Sequence, residues 1–251
     1  MRGEWHIDIY EERSELHTGS EVFVFEEGAQ SESAAKRYST IKSEIESGFL
    51  EKVYEESSVD GGSSLTQRQR ELICKLVEGQ TSEVGRALIG LAFLQLTIKS
   101  ITPEQSVRLH KSSRGGGRFS WKEGISVRSL DREYNTPFLR GKDLLKINRD
   151  GVMMTRSLAE NYPYSRVYKA EIRGPVKEWV DILEELEGGG MPARDALVYL
   201  TKLLRDRAGK TEELYREALA TLNGMLPIPF EKAYDVVCHF FSDPKSSDCI
   251  G

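Results

Sequence analysis

Residues Ala87-Leu88-Ile89-Gly90-Leu91-Ala92-Phe93-Leu94 lie inside a stretch, Thr81–Ile101, that has almost no polar side when wound as a helix. A helix that is apolar all round has to be surrounded, so this stretch predicts a central core element and requires the rest of the chain to supply its walls. Eight apolar positions buried there contribute on the order of 10–20 kcal/mol before chain entropy is subtracted, at roughly 1.5–3 kcal/mol for each large side chain. The walls are legible as amphipathic runs. In Ser31–Ser57, Ala35, Tyr38, Ile41, Ile45, Phe49, Leu50 and Val53 recur at three- and four-residue steps, which predicts one long helix. Leu65, Leu72, Ile73, Leu76 and Val77 form the inward face of another, which either Ser64 (with Gln67 as its reciprocal partner) or Thr66 can cap. Pro175–Glu187 places Val176, Trp179, Ile182, Leu183 and Leu186 on one face and is stopped by Gly188-Gly189-Gly190. Pro192–Arg207 and Thr211–Leu222 repeat the pattern, and Phe230–Phe241 predicts a last helix before a frayed tail.

The strand signals are few. Trp5–Tyr10 and Glu21–Phe25 read as short strands that a hairpin through His17–Ser20 can join. Asp8, Glu21, Glu26 and Glu27 cluster near them. Acidic residues beside strands hold magnesium in metal-dependent nucleases, but no lysine follows at Glu-x-Lys spacing, and acidic strand ends are ordinary. The expected fold class is mainly α with small β (α+β), in a chain of 251 residues that is long enough to bury a core. Ser57-Ser58-Val59-Asp60-Gly61-Gly62-Ser63-Ser64 is the best linker composition in the chain. It suggests three parts: an acidic N-terminal segment over residues 1–63, a basic region over 64–174, and an acidic helical scaffold over 175–251.

Charge separates these parts. Residues 61–177 carry 21 Lys and Arg against 11 Asp and Glu, whereas residues 1–60 carry 6 against 15 and residues 178–251 carry 8 against 14. The net charge of −5 hides this distribution. A basic centre between acidic flanks points to a polyphosphate partner, with an ordinary mixed-charge surface as the plainer reading. Inside the basic centre, Thr102-Pro103-Glu104-Gln105 reads as a helix start, so a third helix is expected over Pro103–Lys111 and a fourth over Glu123–Leu130. Thr136-Pro137-Phe138-Leu139-Arg140 then leads into Leu144–Thr155, where Arg149-Asp150-Gly151 between two apolar runs predicts a β-hairpin. Helix, helix, hairpin is the order of a winged helix-turn-helix, in which the second helix enters a major groove and the hairpin tip lies along phosphates. The same residues also suit an ordinary surface hairpin. Between the two helices, Ser112-Ser113-Arg114-Gly115-Gly116-Gly117-Arg118 is a glycine-rich basic loop that can close on a phosphate backbone or serve as a tether. The residues expected to contact duplex DNA are Lys111, Arg114, Arg118, Arg128, Arg132, Arg140, Lys142, Arg149 and Arg156. Arg128 and Arg132, four apart, can read guanine or pair with phosphates.

Other chemistry finds little support in the residues. Cys74, Cys238 and Cys249 are widely spaced and Cys238-His239 is adjacent, so neither a disulfide framework nor a zinc site is expected. A Walker loop and a Gly-x-Gly-x-x-Gly after a strand are both missing, and no nucleotide cofactor is expected. The start MRGEWHIDIYEERSE lacks a signal-peptide pattern, and no uninterrupted apolar run reaches the ~18 residues of a bilayer span. A cytoplasmic protein without membrane contact is expected.

Several runs taken together, LTQRQRELI, LQLTIKSITPEQSVRLHK, FSWKEGISVRSLD, TPFLR, LLKINRDGVMMTRSLAENYPYS and YKAEIRG, resemble a family associated with restriction–modification systems that includes type II restriction endonucleases. The similarity covers about residues 65–174. It implies sequence-specific recognition of double-stranded DNA, magnesium-dependent phosphodiester cleavage, and work alongside a cognate DNA methyltransferase; a homodimer is left open. A non-catalytic regulator or specificity partner of such a system is the alternative. A nuclease of the PD-(D/E)xK type needs acidic residues for the metal and a lysine for the attacking water, and the one Asp/Glu-x-Lys here is Asp243-Pro244-Lys245 near the C-terminus. No catalytic or metal-binding residue of a nuclease can be assigned from the sequence.

Overall fold

The computed structural model describes residues 6–11, 13–18, 21–26, 29–59, 62–107, 122–148 and 176–224, with residues 232, 234, 235 and 237–239 beyond them. By its contacts the chain forms two compact units, Met1–Arg205 and Asp206–Gly251. The fold is mostly helical with one small sheet. Three strands, β1 (His6–Ile9), β2 (Arg13–Thr18) and β3 (Glu21–Glu26), pair antiparallel in the order β1-β2-β3. Two of these strands fall where alternation predicts them. The middle one, RSELHT, does not alternate apolar with polar residues and becomes a strand by pairing on both edges.

The first unit is built round α4 (Glu83–Ile101), as the all-apolar run requires. Fourteen of its residues are buried, including Leu88, Ile89, Leu91, Phe93, Leu94 and Ile98. By length and mean hydropathy alone α4 is long and apolar enough to cross a membrane, yet its walls are protein. Those walls are α1 (Glu32–Glu46), α2 (Phe49–Glu56), α3 (Gln67–Glu78), the helical run from Val127 to Gly141, α7 (Val176–Glu187) and the start of α8 (Ala193–Gly224). Trp179 of α7 is fully buried, and its Nε1 donates to Oε1 of Gln95 on α4 at 2.8 Å, so both polar groups are satisfied in the core. Residues before and after the Gly/Ser stretch share this core. Ile41, Ile45, Leu50 and Val53 pack with Ile73 and Leu76, and the amide and hydroxyl of Ser64 donate to Asp195 Oδ2.

Three helix expectations change here, and one open choice is decided. The single helix expected over Ser31–Ser57 is two, because Gly48 adopts φ +91°, its amide donates to Ile45 O, and the chain turns before α2. Of the two caps that the sequence allows for α3, Thr66 is the one used, through a capping box with Gln69. The helix expected over Pro103–Lys111 is not present in its described part. Thr102 ends α4 instead of starting a helix, its amide and hydroxyl both donating to Ile98 O, and residues 103–107 run as turns. Finally, the two helices expected over Pro192–Arg207 and Thr211–Leu222 are one, since Gly209 in mid-helix costs only about 1 kcal/mol and the Thr211 hydroxyl back-bonds to Arg207 O.

Within the second unit, described by itself, residues 209–217 of α8 are exposed, among them Leu214 and Tyr215, and Arg216 pairs with Glu212 one turn away. Residues 232, 234, 235 and 237–239 are helical.

Candidate nucleic-acid interface

The glycine-rich basic loop with Lys111, Arg114 and Arg118 lies outside the described residues, as do Arg149 and Arg156. The described ends of that loop are fixed. Gln105 is fully buried, its Nε2 donates to Ser106 O and Glu123 O at 2.9 Å each, and its Oε1 accepts from Arg37 Nε at 2.7 Å. Arg37 Nη2 also pairs with Glu123 Oε2 at 2.6 Å. On the entering side, the Val107 amide donates to Glu187 Oε1 at 2.6 Å. On the leaving side, Lys122 donates its amide to Glu26 O and accepts from the Ser31 amide, while Gln30 Nε2 donates to Gly124 O. Residues 107 and 122 are therefore tied through α1, α7 and the end of β3. The Ser31 hydroxyl and then the Arg37 guanidinium hold the Glu123 carboxyl below the ordinary carboxylate range.

The expected recognition helix over Glu123–Leu130 begins only at Val127, and it does not stop at Leu130. Three pieces run on without a break: α5 (Val127–Leu130), a π-helical turn (Asp131–Asn135) and α6 (Thr136–Gly141). TPFLR is thus helix, where the sequence suggested a lead into a strand. The widened turn has two visible causes. Asp131 is buried and its Oδ1 accepts from Asn135 Nδ2 at 2.8 Å and Thr136 Oγ1 at 2.9 Å, while Asn135 Nδ2 also reaches Gly90 O of α4 at 3.1 Å. Pro137 lacks the N–H that a continuous α-helix would direct at Glu133 O. The run ends at Asp143, whose φ of +52° turns the chain so that the Leu144 amide returns to Leu139 O. Leu144–Asn148 is irregular rather than the first strand of a hairpin, and the remainder of the expected hairpin lies outside the described residues.

This geometry sorts the side chains of the run. Leu130, Asp131, Asn135, Thr136 and Leu139 are buried against α4, and Arg132, Glu133, Pro137 and Arg140 are exposed. Arg128 is half-buried. Glu133 is taken by Lys42 at 3.0 Å, which raises the lysine's proton affinity. Arg128, Arg132 and Arg140 pair with no carboxylate among the described residues, and exposed Lys142 rests its Nζ 4.9 Å from the Tyr54 ring centroid. Three of the nine sequence-predicted contacts are therefore gathered on one continuous helical run, with a fourth, Lys142, directly after it. Among the described residues, no group of His, Cys, Asp and Glu able to hold a metal lies in this run; the one such group, His6, Asp8 and His17, is on the sheet. It escapes a search by sequence spacing because strand pairing brings it together. No family model matches this chain, and no curated protein or solved structure matches it.

Proposed function

We propose that this chain binds double-stranded DNA in a restriction–modification system, as a magnesium-dependent type II restriction endonuclease. The observation that carries DNA binding is the outer side of residues 127–142, where exposed Arg132 and Arg140 and half-buried Arg128 have no carboxylate partner among the described residues. Guanidinium groups held on a rigid scaffold and left without internal counter-charges suit phosphate oxygens, and the surplus of basic residues over 61–177 supplies the surrounding field. In this reading the Val127–Gly141 run takes the place of the helix presented to the groove. The resemblance of the runs between residues 65 and 174 supports the restriction–modification context and is the sole support for cleavage. The alternative, a specificity partner without cleavage activity, is favoured by one observation: among the described residues, no acidic metal-binding group stands near the basic run.

Two measurements test the proposal. Mobility-shift titrations of a duplex at low and moderate salt should show affinity falling steeply with salt, and no binding at low salt would end the DNA reading. Incubation with methylated and unmethylated plasmid in magnesium, with and without the cognate methyltransferase, separates the two classes. Cutting of unmethylated DNA identifies the endonuclease. Specific binding that leaves every DNA intact identifies the partner protein.

A further inference from the structure

The π turn decides which residues of the basic run share a side. Its defining bond is the Thr136 amide donating to Asp131 O, five residues back instead of four. In an unbroken α-helix each residue advances by about 100°, so Arg140, eight residues past Arg132 and twelve past Arg128, would stand about 80° and about 120° round from them. A turn that takes in one more residue sets everything after it back by about 100°. Arg140 then falls within about 30° of both, and the three guanidinium groups form one row, with stations about 6 Å and about 12 Å apart along the axis. Burial records the same rotation. Asp131 and Thr136 would lie about 140° apart in an α-helix, yet both are buried, as are Asn135 and Leu139, while Arg132 and Arg140 are exposed.

The same count places Glu133 and Pro137 at the crest of the run, opposite the buried residues, and both are exposed. Pro137 has no polar side chain, and the Glu133 carboxylate is engaged by Lys42 at 3.0 Å, so the crest offers little to base edges. The arginine row lies about a quarter turn to one side of it. We propose, on the footing of the DNA-binding reading, that Arg128, Arg132 and Arg140 follow the phosphates along one wall of a groove and do not read bases. Their contribution to affinity is then the same on every duplex sequence, and it depends on where each charge stands in the row as well as on the sum of the charges.

The test uses the full chain in salt titrations on two duplexes of unrelated sequence. Arg140→Ala should lower the magnitude of the slope of log affinity against log salt by about 1, equally on both duplexes. Gly141 is exposed, has open space where a Cβ would stand, and points about 100° away from Arg140. The double variant Arg140→Ala, Gly141→Arg therefore keeps the net charge but moves the guanidinium off the row, and it should bind as Arg140→Ala does. Arg140→Lys should keep the natural slope, since a phosphate accepts a point charge where a base edge needs the guanidinium fork. That variant leaves the backbone untouched and keeps the test decisive should position 141 not tolerate a side chain. A natural slope in Arg140→Ala or in the double variant, a lowered slope in Arg140→Lys, or a loss confined to one duplex overturns the proposal. Failure of the natural chain to bind either duplex at low salt removes the DNA-binding reading itself, and this row with it.

Discussion

Two neighbouring polar stretches of the first unit treat their basic residues in opposite ways. Where residues 26–37 meet Gln105 and Lys122–Gly124, the basic groups at the contact are paired: Arg37 with Gln105 and Glu123, Lys122 with Glu26. Along residues 127–142, exposed Arg132 and Arg140 and half-buried Arg128 have no such partners among the described residues. The first stretch spends its charges on joining α1, the end of β3 and both ends of the basic loop, so its residues are positioning groups. The second holds rigid backbone under charges that remain available. Stability should therefore depend on the first and ligand affinity on the second, and the contrast can be broken residue by residue.

The largest effect is expected at Gln105. Gln105→Ala removes a fully buried amide that satisfies Glu123 O, Ser106 O and Arg37 Nε, and should cost about 3 kcal/mol in urea unfolding, at roughly 1–3 kcal/mol for a buried group left unsatisfied. DNA affinity in the remaining folded protein should hold; a loss of affinity without a loss of stability would erase the distinction. Next comes the Arg132→Ala, Arg140→Ala double variant. Its stability should stay within about 0.5 kcal/mol of the natural chain. The slope of log affinity against log salt should fall in magnitude by about 2, equivalent to roughly tenfold between about 50 and 200 mM salt. An unchanged slope would place the phosphates elsewhere.

Smaller effects sharpen the structural half of the contrast. Gly48→Ala forces a Cβ into the left-handed region between α1 and α2 and should cost about 1–2 kcal/mol, read as a lower urea midpoint, with no change in salt slope. The smallest effect is expected at Glu123, because its side chain is nearly half exposed. Its carboxyl is held low in the folded state, so its contribution is present above the unfolded carboxylate value of about 4.3 and is lost as pH falls through the folded value. The stability gap between the natural chain and Glu123→Gln should therefore shrink on acidification below about pH 4. A gap that widens there would reverse the sign and remove Arg37 and Ser31 as its partners.

The basic run shows why only part of the candidate site was legible in the sequence. Charge is additive along a chain, so the excess around Arg128, Arg132, Arg140 and Lys142 needed no structure to be counted. Which of those charges stay unpaired depends on residues far away in sequence, such as Lys42 reaching Glu133 across 91 positions. Helix limits in the same region followed tertiary partners over local rules. The cap signal at Thr102-Pro103 is sound by itself, but α4 takes the Thr102 hydroxyl and amide for the carbonyl of Ile98, and Gln105 is drawn into the contact with Arg37 and Glu123.

By itself the sequence determined the central helix, because no placement of Ala87–Leu94 other than a surrounded one hides so continuous an apolar surface. It also determined α7, whose apolar face and triple-glycine stop are local, with Gly189 at φ +70° closing the helix as glycine does. Tertiary structure alone decided β2, the π turn and the histidine–carboxylate face. A strand without alternation acquires its conformation from hydrogen bonds to both neighbours, and a widened turn forms where Asn135 Nδ2 is shared between Asp131 and Gly90 O of a helix 45 positions earlier. His6 and His17 become neighbours only through the antiparallel register, since pairing in a sheet converts an 11-residue separation into direct cross-strand contact.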